Sequence, residues 1–407
     1  MFKVIFSRRM LVSFLMGFAC GLPLLLTSTV LQAWMKEEGV DLTLIGMMAL
    51  VGLPYTLKFL WAPFLDRFTL SFLGRRRGWL LIAQIALCCS LAGLGFADPA
   101  RNPVIMICAA LLVTFFSASQ DIVVDAYRRE DLADEELGLG SSFYINGYRV
   151  GMLLASGGGL ILADHTSFTI VYLVMAACML PAIITTLMTP EPVVSAGAPR
   201  TMREAIVEPL SEYFSRENAL LILGFILLYK IGDTMASAIT TPFYLDVGFS
   251  MTEIGAVVKI FGFWATLAGS LLGGVLMLRM GINRALWIFG FLQTISTAGF
   301  ALLAHIGYSL PALSGVIAFE NFTGGMGTAA YAAFMGSITN KKFTATQYAL
   351  LSSLMGVPRV IASAPTGFLA KHMGWENFFI FCVVIAVPGM LLLLKFAPWN
   401  QRARANA

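Results

Sequence analysis

The segment SASQDIVVDAYRRE (residues 117–130) ends an apolar run that begins near Val104. Its carboxylates Asp121 and Asp125 are four residues apart, so they share one face if the segment is helical. A charged side chain that faces lipid at the bilayer centre costs about 2.5–3.5 kcal/mol. The segment therefore predicts a membrane-spanning helix whose acidic face turns away from lipid, toward water or protein.

The composition of the whole chain supports this interpretation. The chain has 407 residues, of which 58% are hydrophobic and 12% are charged, and its mean hydropathy is +0.80. A water-soluble protein of this length needs more charge to cover its surface. The six cysteines lie in apolar runs without metal-ligand spacing and the three histidines are scattered, so we expect no metal site and no cofactor.

Apolar runs long enough to cross a bilayer recur along the chain. One helix per run predicts an all-α integral membrane protein of twelve transmembrane helices, near residues 11–34, 42–62, 79–97, 103–126, 141–163, 168–188, 218–245, 252–277, 285–304, 310–336, 345–369 and 375–397. A stretch rich in proline and charge separates the two sets of six. We therefore predict an N-terminal six-helix bundle (1–188), a cytoplasmic linker (189–217) and a C-terminal six-helix bundle (218–407).

The basic residues predict the orientation of these helices. With the N-terminus in the cytoplasm, three lie in outer segments, Lys36, Arg101 and Lys371, against 19 in inner segments. Lysine and arginine are enriched in cytoplasmic loops, so both termini are predicted to be cytoplasmic. Because these residues spread over many short loops, the net charge of +4 gives no reason to expect a nucleic-acid partner.

The two halves resemble each other at nearly constant offsets. IGMMALVG (45–52) aligns with IGAVVKIFG (254–262), YRV (148–150) with PRV (358–360), and GLPLLLTST (21–29) with GDTMASAIT (232–240). Short matches between apolar segments also arise by chance. A duplicated six-helix unit is typical of transporters that bind their substrate between the halves near mid-membrane.

Nine ionisable residues fall inside the predicted spans: the bases Lys58, Arg149, Lys230, Lys259 and Arg359 and the acids Asp121, Asp125, Asp233 and Glu320. Facing lipid, they would together cost about 20–30 kcal/mol, more than a typical folding stability of about 5–15 kcal/mol. They must therefore face a wet cavity, one another or the membrane interface.

These groups are candidates for two functions. A buried carboxylate whose basic partner changes can load and release a proton, which makes Asp121, Asp125, Asp233 and Glu320 candidates for proton coupling. Candidates for binding an anionic cargo are the bases Lys58, Arg149, Lys230, Lys259 and Arg359 and the polar side chains Tyr55, Gln32 and Gln120.

Structural roles compete with these functions, and the sequence leaves both open. Neighbouring antiparallel helices bring Asp121 and Arg149 to similar depth, where they would form a structural ion pair. Further structural roles are ion pairs of Asp125 with Arg128 or Arg129 and of Lys230 with Asp233, a structural acid at Glu320, snorkelling by Lys58 and Lys259, and helix packing by Tyr55, Gln32 and Gln120.

The loop DRFTLSFLGRRRGW (66–79) resembles the signature of the major facilitator superfamily, an Asp-Arg followed by a Gly-Arg-Arg cluster, although Asp66 and Gly74 are further apart than is common. The resemblance implies a cytoplasmic gate formed by Asp66, Arg67, Arg75 and Arg76.

A more specific resemblance covers much of the first half. GFACGLPLLLTSTVLQAW (17–34), VGLPYTLKFLWAPFLDR (51–67), GRRRGWLLIAQ (74–84), SASQDIVVDAYRRE (117–130) and NGYRVGML (146–153) are together similar to the AmpG muropeptide permease family. This resemblance implies a transporter, not an enzyme, in the inner membrane of a Gram-negative bacterium.

The cargo implied by the resemblance is N-acetylglucosaminyl-1,6-anhydro-N-acetylmuramic acid, with or without its stem peptide, imported with protons as the coupling ion. Such import serves peptidoglycan recycling and beta-lactamase induction. The expected partners are this small molecule and the lipid bilayer, and we expect a monomer. The alternative is a carrier of the same fold for another anionic metabolite, such as an acyl-CoA-like molecule.

Overall fold

The structure is a computed structural model that describes residues 5–40, 48–70, 72–192, 201–250, 253–363, 365–397 and 399. Within these residues the regular structure is helical, and the only pairing of extended chain is an isolated bridge between Leu70 and Gly74. The prediction of an all-α protein is therefore confirmed for the described residues.

The helices of the first half are α1 Arg8–Leu25, α2 Leu31–Glu37, α3 Leu53–Leu57, α4 Ala62–Arg67, α5 Arg75–Gly95, α6 Pro103–Asp131, α7 Leu137–Leu153, α8 Gly159–Ala163, α9 Phe168–Ala177 and α10 Leu180–Met188. Wide π turns join α1 to α2 at Leu26–Val30 and α7 to α8 at Leu154–Gly158. Short 3₁₀ turns at Met48–Gly52 and Lys58–Leu60 flank α3.

The helices of the second half are α11 Met202–Phe214, α12 Ala219–Leu228, α13 Ile231–Ala238, α14 Thr240–Val247, α15 Gly262–Ile306, α16 Leu310–Ser337, α17 Thr344–Ile361, α18 Thr366–Met373 and α19 Trp375–Phe396. A π segment, Ile254–Phe261, precedes α15, and a 3₁₀ turn, Lys341–Phe343, precedes α17.

Seven stretches of the described residues are long and apolar enough to cross a membrane: Arg8–Met35, Arg75–Gly95, Pro103–Asp131, Phe168–Met188, Ala219–Ala238, Ile254–Ile306 and Trp375–Phe396. The longest stretch, Ile254–Ile306, covers two predicted spans, 252–277 and 285–304. The chain turns between them at Gly281, whose φ of 79° is a conformation that glycine adopts readily. The count of twelve spans stays a prediction.

Some predicted spans are interrupted rather than continuous. The span predicted at 42–62 contains α3 and the start of α4, and its residues 42–47 lie outside the described residues. Prolines stand in the first turn of both α3 and α4. Because proline has no N–H and fits the start of a helix, each proline begins a new short helix.

The chain divides into two compact units. Unit 1 comprises Met1–Ala133, Phe143–Leu210 and Thr339–Ser353, and unit 2 comprises Asp134–Ser142, Ser211–Ile338 and Leu354–Ala407. Each unit thus contains a short segment from the other half of the sequence, and Ala345 and Ala349 belong to the apolar core of unit 1. The predicted domain limits at 188 and 218 stay predictions.

Four glycines hold α1 directly against α7 within unit 1. A Cβ on Gly17 or Gly21 would overlap the carbonyl oxygens of Tyr144 and Tyr148, and a Cβ on Gly147 or Gly151 would overlap the backbone of α1. Small residues four apart on both helices allow this backbone contact. The contact brings the tyrosines of α7 and Cys20 of α1 close to the acidic face of α6.

Candidate functional site

The first part of the site surrounds Asp66, the last acidic residue of α4. Asp66 is fully buried, and its Oδ1 accepts a hydrogen bond from Arg76 Nη2 at 2.7 Å. The guanidinium of Arg76 also donates to both oxygens of Glu130, at 2.6–3.1 Å, and Arg75 Nη2 donates to the same carboxylate at 2.7 Å. Such charge-assisted, forked contacts are among the strongest hydrogen bonds in proteins.

Asp66 also binds the first turn of α17. Its Oδ2 accepts hydrogen bonds from the backbone N–H and the hydroxyl of Thr346, both at 2.7 Å, and its Oδ1 accepts from the N–H of Ala345 at 3.3 Å. A carboxylate here pairs with free N–H groups and the positive end of the helix dipole. We call Asp66, Arg75, Arg76, Glu130 and Thr346 the Asp66 network.

The second part of the site is a charged cluster between α3 and the end of α6 in unit 1. Lys58 Nζ lies 3.9 Å from Asp125 Oδ2, and Arg128 Nη2 lies 3.1 Å from Asp125 Oδ1. Arg128 also donates to the hydroxyl of Tyr348 at 2.8 Å, and its guanidinium lies over the Tyr144 ring, 4.5 Å from the centroid. Lys58 therefore has a carboxylate partner instead of snorkelling alone to the membrane surface.

A group of buried polar atoms lies one helical turn from this pair. Asp121 Oδ1, Gln120 Oε1, Ser117 Oγ and the hydroxyl of Tyr55 are buried and make no hydrogen bond of ordinary geometry to another described residue, although Tyr55 lies near Ser117 and Asp121 near Cys20. The nearby charges that act on Asp121 include those of Lys58 and Asp125, and the pairing of Asp121 with Arg149 stays a prediction. Buried polar atoms nearly always find partners, so these four suit water or a polar ligand.

The third part is a second cluster of two carboxyls and a lysine, in unit 2. Lys230 Nζ lies 3.4 Å from Asp233 Oδ2 and donates to Thr328 Oγ1 at 2.8 Å. Glu320 interacts with Asp233 and accepts a 2.5 Å hydrogen bond from the Ser296 hydroxyl. The Lys230–Asp233 ion pair, which the sequence left open as a structural role, is present, and Glu320 lies beside it on α16.

Similarity to known proteins extends along the whole chain. The profile of the Major Facilitator Superfamily matches residues 9–363 and 231–406. The anhydromuropeptide permease of Escherichia coli strain K12 is 46% identical over 406 residues, which cover 99% of this chain and 83% of that protein. The chain belongs to the AmpG permease family.

Other relatives agree with this membership in a family of transporters within the major facilitator superfamily. An uncharacterized protein of Haemophilus influenzae is 42% identical over 409 residues, covering 98% of this chain and 96% of that protein. The transporter named AmpG 4 of Rickettsia conorii is 32% identical over 409 residues, covering 96% and 97%.

Solved structures show the same fold at low sequence identity. The proton:xylose symporter XylE, bound to 6-bromo-6-deoxy-D-glucose, has a TM-score of 0.68 at 14% identity, covering 99% of this chain and 98% of that one. A human organic anion transporter has a TM-score of 0.67 at 17% identity, covering 96% and 98%. At these identities the likeness establishes the fold alone.

In this AmpG-family chain the predicted residues separate into groups. Unit 1 contains the Asp66 network and the group around Asp121 and Asp125, whereas unit 2 contains Lys230, Asp233 and Glu320. The remaining candidates are Gln32, Arg149, Lys259 and Arg359. Gln32 and Arg149 are partly buried, Lys259 is exposed on the π segment, and the side chain of Arg359 lies outside the described residues.

Arg67, one of the predicted gate residues, lies outside the Asp66 network, and two acids that contact the gate arginines, Glu130 and Glu191, were not among the predicted site residues. The guanidinium of Arg67 lies over the ring of Phe68, 4.7 Å from the centroid, rather than in the Asp66 network. Glu130 is the centre of that network, and Glu191 accepts from the N–H groups of Arg76 and Arg77 at 2.7 and 2.9 Å. Glu130 ends the segment 117–130, so its position beside two arginines was a usable signal.

Proposed function

We propose that this chain imports anhydromuropeptides, N-acetylglucosaminyl-1,6-anhydro-N-acetylmuramic acid with or without its stem peptide, from the periplasm to the cytoplasm. The observation that carries the proposal is its 46% identity, over nearly its full length, to a protein named anhydromuropeptide permease. Import returns cell-wall fragments for peptidoglycan recycling, and in this role the protein is a multi-pass component of the inner membrane.

The proposed arrangement has twelve spans in two six-helix bundles with both termini in the cytoplasm. The excess of basic residues in the predicted inner loops supports this orientation. It places the Asp66 network at the cytoplasmic side, where Asp66 holds the first turn of α17. Transport then proceeds by alternating access, with the network formed in one state of the cycle and released in another.

The coupling ion in this proposal is the proton. Two carboxyls that share a site of low dielectric ionise together only at a cost, so one of them tends to hold a proton. The structure brings Asp233 and Glu320 together beside Lys230, and Asp125 beside Lys58. A lysine that moves between a carboxylate and an anionic cargo would change how readily the carboxyl binds a proton.

Cargo binding in this proposal uses the buried polar atoms of unit 1 that make no hydrogen bond of ordinary geometry to the described residues. Tyr55, Ser117, Gln120 and Asp121 offer hydroxyl, amide and carboxylate oxygens that match the hydroxyl and amide groups of a sugar. Lys58 and Lys230 supply positive charge for the acidic groups of the cargo. Ser117 is an addition to the residues expected from the sequence.

Uptake into proteoliposomes tests this function. We expect labelled anhydromuropeptide to accumulate when the outside is made acidic, and to accumulate much less under a sodium gradient of the same size. Excess unlabelled cargo should compete with the label, whereas a coenzyme A ester should not. Competition by the ester alone would favour the acyl-CoA alternative, and uptake that is indifferent to the pH gradient would remove the coupling.

A further inference from the structure

The helix α11 lies outside the predicted spans and begins with its own cap. Thr201 Oγ1 accepts a hydrogen bond from the N–H of Glu204 at 3.1 Å. The pattern Thr-Met-Arg-Glu is a capping box, which stabilises the first turn of a helix. The helix therefore has a defined start at Met202.

One face of α11 packs against the protein. Ala205 is completely buried and Tyr213 is 1% exposed, and the Pro209 carbonyl between them accepts a hydrogen bond from Gln347 Nε2 at 3.1 Å. On the adjoining face Lys342 Nζ donates to Glu208 Oε2 at 3.1 Å. These contacts determine which way the rest of the helix faces.

A second face of α11 is apolar and exposed. Ile206 is 43% exposed, Val207 49%, Leu210 37% and Phe214 51%. Residues four and seven apart lie on one side of a helix, so these four form one continuous stripe. Arg203 is on the same side at the N-terminal end, where a long basic side chain can extend to lipid headgroups. A third face carries Glu204, Glu208 and Ser211.

The position of α11 in the chain determines what this stripe can reach. Phe214 is five residues before Ala219, where an apolar span begins. Five residues extend at most about 17–18 Å, so the end of α11 lies close to the end of a membrane-spanning helix. An interfacial helix combines a protein or polar side with an apolar face that enters the boundary between headgroups and acyl chains to about 5–10 Å.

We propose that α11 lies on the membrane surface, with Ile206, Val207, Leu210 and Phe214 inserted into the lipid headgroup region. The buried face holds the helix to the protein, and the acidic face stays in water. Because the same helix contacts Lys342, just before α17, and Gln347 within α17, the membrane surface would help to hold the segment that Asp66 binds.

Spin-label accessibility tests this position in the full chain. Native cysteines are replaced, and single nitroxide labels are placed at Ile206 and Leu210 on the stripe, with Glu204 and Ser211 as matched controls on the acidic face. Collision rates with oxygen, which concentrates in lipid, and with a polar nickel chelate are measured in nanodiscs. We expect the ratio of oxygen to nickel collisions to be severalfold higher on the stripe than on the acidic face.

Two outcomes would overturn the proposal. Equal ratios on both faces would place the stripe in water, and low collision rates with both reagents at Ile206 and Leu210 would place it under protein. A second measurement uses Leu210→Glu and Ser211→Glu without labels. We expect Leu210→Glu to lower the unfolding temperature more in nanodiscs than in detergent relative to Ser211→Glu, and equal effects in the two media would also contradict lipid contact.

Discussion

Thr346 donates both its backbone N–H and its hydroxyl to one oxygen of Asp66, each at 2.7 Å, although the two residues are 280 positions apart. The carboxylate therefore caps a helix from the opposite half of the sequence. Its other oxygen accepts a hydrogen bond from Arg76. A single buried carboxylate therefore joins the first turn of α17 to the Arg76–Glu130 pair. Any state in which α17 leaves this position must leave a buried carboxylate without these donors.

The first prediction concerns the charge of Asp66. Asp66→Asn removes the anion that faces Arg76 and replaces one acceptor oxygen with a donor. We therefore expect the free energy of unfolding to fall by about 3–5 kcal/mol, as when one partner of a buried ion pair is removed. Unfolding temperature in detergent and uptake should both fall. Asp98→Asn is the control, because Asp98 lies in a partly exposed loop, where it accepts from the N–H groups of Ala100 and Arg101 and pairs with the Arg101 side chain at 3.5 Å. Equal behaviour of the two variants would exclude a special role for Asp66.

The second prediction distinguishes two adjacent arginines. Arg76 is fully buried and its guanidinium bridges Glu130 and Asp66, whereas Arg77 donates to the carbonyls of Thr186 and Leu187 near the surface. A lysine has no planar fork, so Arg76→Lys should cost several times more stability than Arg77→Lys in the same thermal assay. A larger loss for Arg77→Lys would contradict the network.

The third prediction tests whether Lys58 and Asp125 interact. A double-mutant cycle of Lys58→Met and Asp125→Asn should give a coupling energy of about 0.5–3 kcal/mol, as for residues in contact. Lys58→Met combined with Asp98→Asn serves as the control cycle, because those two residues share no partner among the residues that the structure describes. Additive free energies of unfolding in the first cycle would mean that the 3.9 Å separation carries no energetic coupling.

The fourth prediction concerns proton coupling in unit 2. Glu320→Gln keeps an acceptor for the Ser296 hydroxyl but cannot ionise, so uptake driven by a pH gradient should fall while exchange of cargo at equal pH continues. Glu376→Gln is the control, because Glu376 is exposed beside His305. Loss of exchange and gradient-driven uptake to the same extent would assign Glu320 to binding or folding instead.

The fifth prediction concerns the contact between α1 and α7. A Cβ at Gly17 would overlap the carbonyl of Tyr144, so Gly17→Ala should destabilise the protein by about 1–3 kcal/mol, as overpacking does. Gly93 lies inside α5 with nothing within 4 Å of an added Cβ. Gly93→Ala should therefore be neutral or stabilise by up to about 1 kcal/mol. Thermal unfolding of both variants checks the difference.

The candidate site was only partly predictable from the sequence. The pair Lys230–Asp233 followed from its i,i+3 spacing because both members lie on adjacent turns, and local geometry decides such contacts. The 3.9 Å contact of Lys58 with Asp125 joins residues of separate elements, and no local spacing predicts it. Depth along a helix does not determine rotation about its axis, and rotation depends on packing such as the glycine contact of α1 with α7.

The sequence by itself determined that this chain crosses a membrane as helices and that its buried charges must avoid lipid. Both conclusions depend on the free energy of transferring a segment from water to lipid, which the segment's own residues determine. Only the tertiary structure decided which charges meet. The contact of Asp66 with the first turn of α17 joins residues 280 positions apart, and such contacts depend on how helices pack. No local pattern contains that information.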